Sequence, residues 1–209
     1  MRETIKANQY PSSQYRSSGL SALGGIVLAV CLLAPTHLVY ARNPLRVPKA
    51  AAQGDHGKLV LTSSAFQPGS KIPAQHTCQG ADTSPPLSWT DPPSRTQSFV
   101  LIMDDPDAPS GTWVHWVAYN LPGTVRSLPE NVPKQESLPA GGSQGVTSFE
   151  KVGYGGPCPP PGNPHRYFFK LYALDAKLSL KPGASKQAVE NAMNGHILSK
   201  TDLMGRFGR

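Results

Sequence analysis

Proline and glycine cut this chain into short apolar runs, and that punctuation limits what it can fold into more than any other feature. A proline ring fixes φ and removes a backbone donor, and glycine favours turns, so neither sits well inside a long helix. With 22 prolines and 20 glycines, the sequence fits a β-rich, loop-heavy domain better than a helical one. The folded part begins near Lys58-Leu59-Val60-Leu61. The clearest strand-like runs are 98–104, 113–120 and 166–174, with long irregular stretches between them, above all 121–165. One helix is expected. Ser185 can cap it, Ala188, Val189, Ala192 and Met193 repeat at helical spacing through about Asn194, and Gly195 ends it. Leu203, Gly205 and Phe207 then alternate as a last strand would.

The N-terminus reads differently. Arg2, Lys6 and Arg16 precede an apolar stretch from about Leu20 to Ala34, and Val39-Tyr40-Ala41 offers small residues for cleavage. Residues 1–41 therefore read as a signal peptide and export to the periplasm or the cell exterior is expected. An uncleaved anchor is the main rival, but the apolar core falls short of the roughly 20 residues a span needs. A lipoprotein signal at Cys31 fits poorly, because Val30 is bulky and the chain stays apolar afterwards. Residues 42–57, rich in Pro, Ala and charge without apolar period, read as a flexible leader, and 58–209 as the domain. Without residues 1–41 the chain keeps 17 Lys and Arg against 12 Asp and Glu, a net charge of +5. These charges are scattered. Nucleic-acid binding needs a concentrated basic stripe, and none is present. Membrane contact is expected only through the N-terminal segment or weakly at lipid head groups.

The chemistry gathers in two blocks. Phe99-Val100-Leu101-Ile102-Met103 feeds into Asp104-Asp105-Pro106-Asp107-Ala108-Pro109-Ser110-Gly111, followed by Trp113-Val114-His115-Trp116. Some fifty residues on comes His165-Arg166-Tyr167. The two prolines stiffen the turn, so its carboxylates are held rather than free. Side chains alternate along a strand. Trp113, His115, Val117 and Tyr119 should therefore share one face, as should His165, Tyr167, Phe169, Leu171 and Ala173. Asp105, His115, His165 and Tyr167 could then converge at one end of a sheet. Asp104 would face the other way, leaving Asp104 and Asp107 as loop structure, with Asp107 bonding to nearby backbone N–H groups. Arg166 points away from His165 and would pair with a surface carboxylate.

With these motifs in view, the chain resembles the phosphatidylethanolamine-binding protein family, in its bacterial Raf-kinase-inhibitor-like branch. The resemblance runs from about Lys58 to Arg209. It rests on Cys78-Gln79-Gly80 with Ser84-Pro85-Pro86-Leu87-Ser88-Trp89, on Asp105-Pro106-Asp107-Ala108-Pro109, on Trp113 with His115, and on Gly153-Tyr154-Gly155-Gly156-Pro157-Cys158-Pro159-Pro160 leading to His165-Arg166-Tyr167. It implies a mostly β domain, an antiparallel β-sandwich with few peripheral helices. It also implies a shallow pocket for a phosphate or a phosphorylated head group, carrying over Asp105, Pro109, His115, Gly156, Pro157, His165 and Tyr167. Trp113, expected beside His115, is the tryptophan placed to border a ligand; Trp89 and Trp116 read as core or pocket wall. One stretch departs. Where relatives in this branch have an Asn-Asp pair, an aromatic residue and Gly, this chain has Thr147-Ser148-Phe149-Glu150, so the pocket rim should differ in shape.

The residue types agree with that expectation. Protonated imidazoles and a phenol donate hydrogen bonds, phosphate oxygens accept them, and Gly155-Gly156 lets backbone come close. A nearby carboxylate would orient an imidazole and favour its charged form. A metal site from Asp105, His115 and His165 lacks the close ligand spacing of zinc enzymes, and no metal or cofactor is expected. Gly141-Gly142-Ser143-Gln144-Gly145 matches a hydrolase nucleophile elbow in letters but has neither the preceding strand nor the following helix. No enzymatic activity is therefore expected. Cys78 and Cys158 remain after export, an even count in Gly- and Pro-rich loops, and a disulfide between them is expected over two buried thiols. Closing that long loop would stabilise by about 4–5 kcal/mol on the chain-entropy model. The leading expectation is an exported binding protein for a small anionic ligand. The alternative is a protein-interaction module, since the resemblance brings kinase and protease inhibition with it, docking a partner through loops 121–150.

Overall fold

The computed structural model describes residues 58–209. The expected signal peptide and leader, residues 1–57, lie outside the described residues.

Two sheets, one α-helix and a short 3₁₀ turn at Ala74–His76 make up the described residues. A three-stranded sheet contains β1 (Val60–Thr62), β2 (Leu87–Thr90) and β5 (Ser127–Leu128), in the order β1-β2-β5. The larger sheet contains β3 (Ser98–Asp105), β4 (Trp113–Pro122), β6 (Ser143–Val146), β7 (His165–Leu174), β8 (Gly183–Ser185) and β9 (Ile197–Phe207). Its order is β8-β6-β4-β3-β7-β9. All pairs are antiparallel except β6 with β8, which run parallel. The expected sandwich is therefore present, with one parallel pairing at its edge.

The large sheet is covered on both faces, which explains why β3 is buried along its whole length. One face carries Phe99, Leu101, Met103, Trp116, Phe169, Leu171 and Leu203 and packs against Leu61, Leu87, Trp89 and Leu128 of the small sheet. The other carries Val100, Ile102, Val117 and Tyr119 and packs under the helix α1 (Lys186–Met193) through Val189 and Met193. The Ser185 hydroxyl accepts from the Ala188 N–H at 3.2 Å, the expected N-cap. Gly195 follows the helix with φ +81°. The side-chain alternation expected for Leu203, Gly205 and Phe207 is also present. A Cβ at Gly205 would come within 2.5 Å of the Ile72 side chain, so the strand needs glycine there for the inner core to close.

One expectation about β4 is corrected. Its odd residues do not share a face throughout. Met103 pairs with Trp116 and Asp104 with Val114, leaving His115 as an extra residue opposite β3. This bulge resets the alternation. Val117 and Tyr119 join the helix-covered face, whereas His115 turns to the face that carries Tyr167 and Trp116. A second shift lies between the Phe99 and Leu101 pairings, where Asn120 adopts φ +55°.

Candidate functional site

The three long central strands bring their ends together at one edge of the domain. Asp105 ends β3, Trp113 and His115 begin β4, and His165 and Tyr167 begin β7. All five line a cavity of about 300 Å³ with Pro109, Ser110, Phe149, Pro159 and Pro160. The floor thus sits on paired strands and the rim on proline-rich loops, an arrangement that holds polar groups rigidly.

Asp105 organises this end. Its Oδ2 lies 2.7 Å from His165 Nδ1, and its Oδ1 accepts from the Asp107 N–H at 2.8 Å. A carboxylate only accepts, so Nδ1 carries the hydrogen and His165 presents Nε2 to the cavity side. With both oxygens engaged, the carboxylate is held in place in the cavity wall. Asp107 in turn accepts from the Arg166 N–H, Nε and Nη2, at 2.9, 2.9 and 2.7 Å. The Arg166 guanidinium holds its carboxyl down at about 2. Arg166 therefore pairs with a surface carboxylate as its parity implied, and Asp107 accepts from a backbone N–H distant in sequence.

Asp104 faces away from the pocket as alternation requires, but the expectation that it is loop structure is corrected, because it lies within β3. It leaves the pocket side and is fully buried against Lys170 at 2.8 Å and Lys186 at 3.1 Å. These ties fasten α1 to the sheet.

His115 is committed in the same sense as His165. Its Nδ1 lies 2.6 Å from the Gly155 carbonyl, which can only accept, so Nε2 is again the free nitrogen. Burial pushes its pKa below the usual histidine value of 6.5, against the weaker pull of the Gly155 carbonyl and of Asp105. Asp105 favours the charged His115 imidazole as expected, but desolvation outweighs that attraction and favours the neutral ring. Its ring meets Tyr167 edge-on, with centroids 5.2 Å apart. The Tyr167 hydroxyl is buried beside the Asp105 carboxylate and makes no well-formed hydrogen bond among the described residues. Burial raises its pKa far above the ordinary tyrosine value, so it remains a donor.

Two residues carried over by resemblance sit elsewhere. Gly156 lines a neighbouring cavity and donates its N–H to Asp82 Oδ1 at 2.6 Å. Pro157 lines neither cavity. It is buried, and its carbonyl accepts from the Cys78 N–H at 3.1 Å. Both brace the loop that carries the Cys78–Cys158 disulfide, which is present with Cα atoms 5.4 Å apart. Phe149 is the lining residue that alternation could not find. It belongs to a turn, and reaches the site because Ser148 and Gly155 hydrogen-bond to Val114 and His115 of β4. Its only sequence signal is its place in the departing Thr147–Glu150 stretch. The Gly141–Gly145 stretch is no elbow: Ser143 opens strand β6, and the buried Gln144 side chain accepts from Trp116 Nε1.

Comparisons with known proteins agree with this architecture. The family model described as phosphatidylethanolamine-binding protein matches residues 62–208. A UPF0098 protein of Methanothermobacter thermautotrophicus is 50% identical over 149 residues, covering 71% of this chain and 98% of that protein. One from Aquifex aeolicus is 51% identical over 153 residues, covering 72% and 89%. Among solved structures, a phosphatidylethanolamine-binding protein homologue from Chlamydia trachomatis has a TM-score of 0.67 at 41% identity, covering 73% of this chain and 98% of its own. YbcL of E. coli, described as a new member of the mammalian family, has a TM-score of 0.69 at 32% identity, covering 73% and 99%. A match across nearly all of the described residues, relatives at half identity and the shared two-sheet fold lead to one conclusion: the chain belongs to the phosphatidylethanolamine-binding protein family.

Proposed function

We propose that this chain is an exported, non-enzymatic binding protein that takes a small phosphate-bearing or other anionic ligand between His115, His165 and Tyr167. The observation that carries this reading is the Tyr167 hydroxyl. It is a buried donor that makes no well-formed hydrogen bond, set beside the Asp105 carboxylate and two imidazoles whose Nδ1 atoms are already engaged. A buried donor left unpaired costs roughly 1–3 kcal/mol, and an oxygen-rich ligand removes that cost. Each imidazole, once protonated, adds an Nε2–H donor. Export is supported by the N-terminal pattern of Arg2, Lys6, Arg16 and the apolar stretch behind them, and by the disulfide.

Isothermal titration of the full chain with inorganic phosphate and with phosphorylethanolamine tests the proposal. Weak binding, lost in His165→Ala, is expected. Equal heat from the wild type and this variant would overturn the assigned pocket. A partner protein that binds equally with or without phosphate, and equally to the pocket variant, would favour an interaction module instead.

A further inference from the structure

Beside the His/Tyr pocket lies a larger cavity of about 530 Å³. That size suits a small organic molecule, for which pockets run from roughly 300 to 1,000 Å³. Its rim is exposed at Lys134, Lys151 and the Cys78–Cys158 disulfide, so it is reached from solvent on its own side. Phe149 and Val152 are half-buried in its wall, and Tyr154 is buried. Backbone contacts hold these groups in place. The Lys151 carbonyl accepts from the Thr147 N–H at 2.9 Å and from the Thr147 hydroxyl at 3.0 Å, closing the turn that carries Phe149. The Phe149 ring lies over Gly155, where a Cβ would come within 2.7 Å of it. Gly153 adopts φ +93° and passes so close to Lys134 that a Cβ would lie 2.8 Å from the lysine Cα.

The charges around this space do not cancel. Asp82, Lys134 and Lys151 are the charged side chains in its lining. Asp82 pairs with Lys134 through Oδ2 at 2.6 Å and accepts the Gly156 N–H through Oδ1 at 2.6 Å, so both its oxygens are engaged. Lys151 has no ion-pair partner among the described residues, and its chain neighbour Glu150 does not line the cavity. One positive charge is therefore left over. The hydroxyls are spent internally: Tyr154 donates to the His76 carbonyl at 2.6 Å, and Thr147 to the Lys151 carbonyl. A guest finds one ammonium group, two aromatic rings and Val152. That set suits a monoanion with a ring better than a phosphate, whose several oxygens call for several donors.

We infer that this cavity is a second binding site, separate from the His/Tyr pocket, for an aromatic monocarboxylate. Its carboxylate pairs with Lys151, and its ring packs on Phe149, Val152 and Tyr154. The site stands on its own rim and its own charge and does not depend on the proposed anion pocket.

The test is isothermal titration of the full chain with naphthylacetate and with its neutral analogue naphthylacetamide. The acid should bind about three-fold or more tightly than the amide, as a partly exposed charge pair allows. Lys151→Met, a change at an exposed position, should remove that preference and leave the amide affinity as it was. Val152→Trp fills the cavity and should weaken acid and amide alike, by about ten-fold. His165→Ala should leave both affinities unchanged. No binding of the acid, equal affinities for acid and amide, or a preference that Lys151→Met leaves untouched would overturn the inference. So would acid binding lost in His165→Ala, which would put the carboxylate in the smaller pocket. Titration with inorganic phosphate tests the anion pocket separately, and its outcome leaves this site standing or falling on the naphthyl probes alone.

Discussion

Asp105 and His165, sixty residues apart in the chain, meet through a 2.7 Å contact between Oδ2 and Nδ1 in which the carboxylate is almost completely buried. That contact leaves Nε2 as the uncommitted imidazole nitrogen of His165. An Asp105→Asn change leaves one amide to serve two donors, the His165 Nδ1–H and the Asp107 N–H. Hydrogen bonds to charged groups contribute about 1.5–3 kcal/mol. Inorganic phosphate should therefore bind ten-fold or more weakly in Asp105→Asn, by titration calorimetry, with the circular dichroism of the β-domain unchanged. Unaltered affinity would show that His165 needs no such orientation.

The pH response should come from His115. Its folded pKa lies below the 6.5 of the unfolded chain, so the unfolded state binds the additional proton first. Stability contributed by this group is then present above about pH 6.5 and falls as the pH drops below it. A bound anion opposes that loss by favouring the protonated ring. Sulfate keeps its charge across this window and is the cleaner probe. Its affinity should rise from pH 7.5 to 5.5, and His115→Gln should reduce that rise and flatten the stability profile. A His115→Gln protein with the wild-type pH dependence would contradict this assignment.

Cys78 and Cys158 are both exposed, and their bond spans 80 residues. Reduction should therefore proceed without unfolding and release much of the unfolded chain. A loss of about 2–4 kcal/mol in denaturant stability is expected on adding dithiothreitol, and the same for Cys78→Ala with Cys158→Ala. A loss under about 1 kcal/mol would show that the sandwich alone restrains these loops.

Glu150 occupies φ +58°, where a side chain other than glycine costs about 1–2 kcal/mol. Glu150→Gly relieves that cost and gives back part of it as unfolded-chain freedom, roughly 0.5–1 kcal/mol. A net gain of up to about 1 kcal/mol, or about 2–4 °C in Tm, should appear in calorimetry. A lower Tm would mean that the Glu150 side chain contributes a contact outweighing its backbone strain.

Much of this arrangement was legible from residue spacing. The apolar alternation from Tyr167 to Ala173 runs without interruption along β7, and the structure follows it residue by residue. The helix was equally readable, because capping and apolar repeat are both local. The face of Val117 and Tyr119 was not, since a bulge depends on how β4 pairs with β3 and leaves no mark in β4 alone. Strands β5, β6 and β8, of two to four residues, are too short to show an alternation. Loop positions fared worst. Gly156 and Pro157 lie beside the pocket in sequence but turn their atoms toward Asp82 and Cys78, while Phe149 arrives through bonds made by its neighbours to another strand.

The additional residue in β4 has an evolutionary corollary. Strand pairing sets the side on which His115 emerges, so loops other than the Gly155 segment that holds its ring can drift while the imidazole keeps its bearing. Variation at the periphery can then reshape the cavity rim, whereas deleting Val114 would remove the bulge and swing the imidazole out of register.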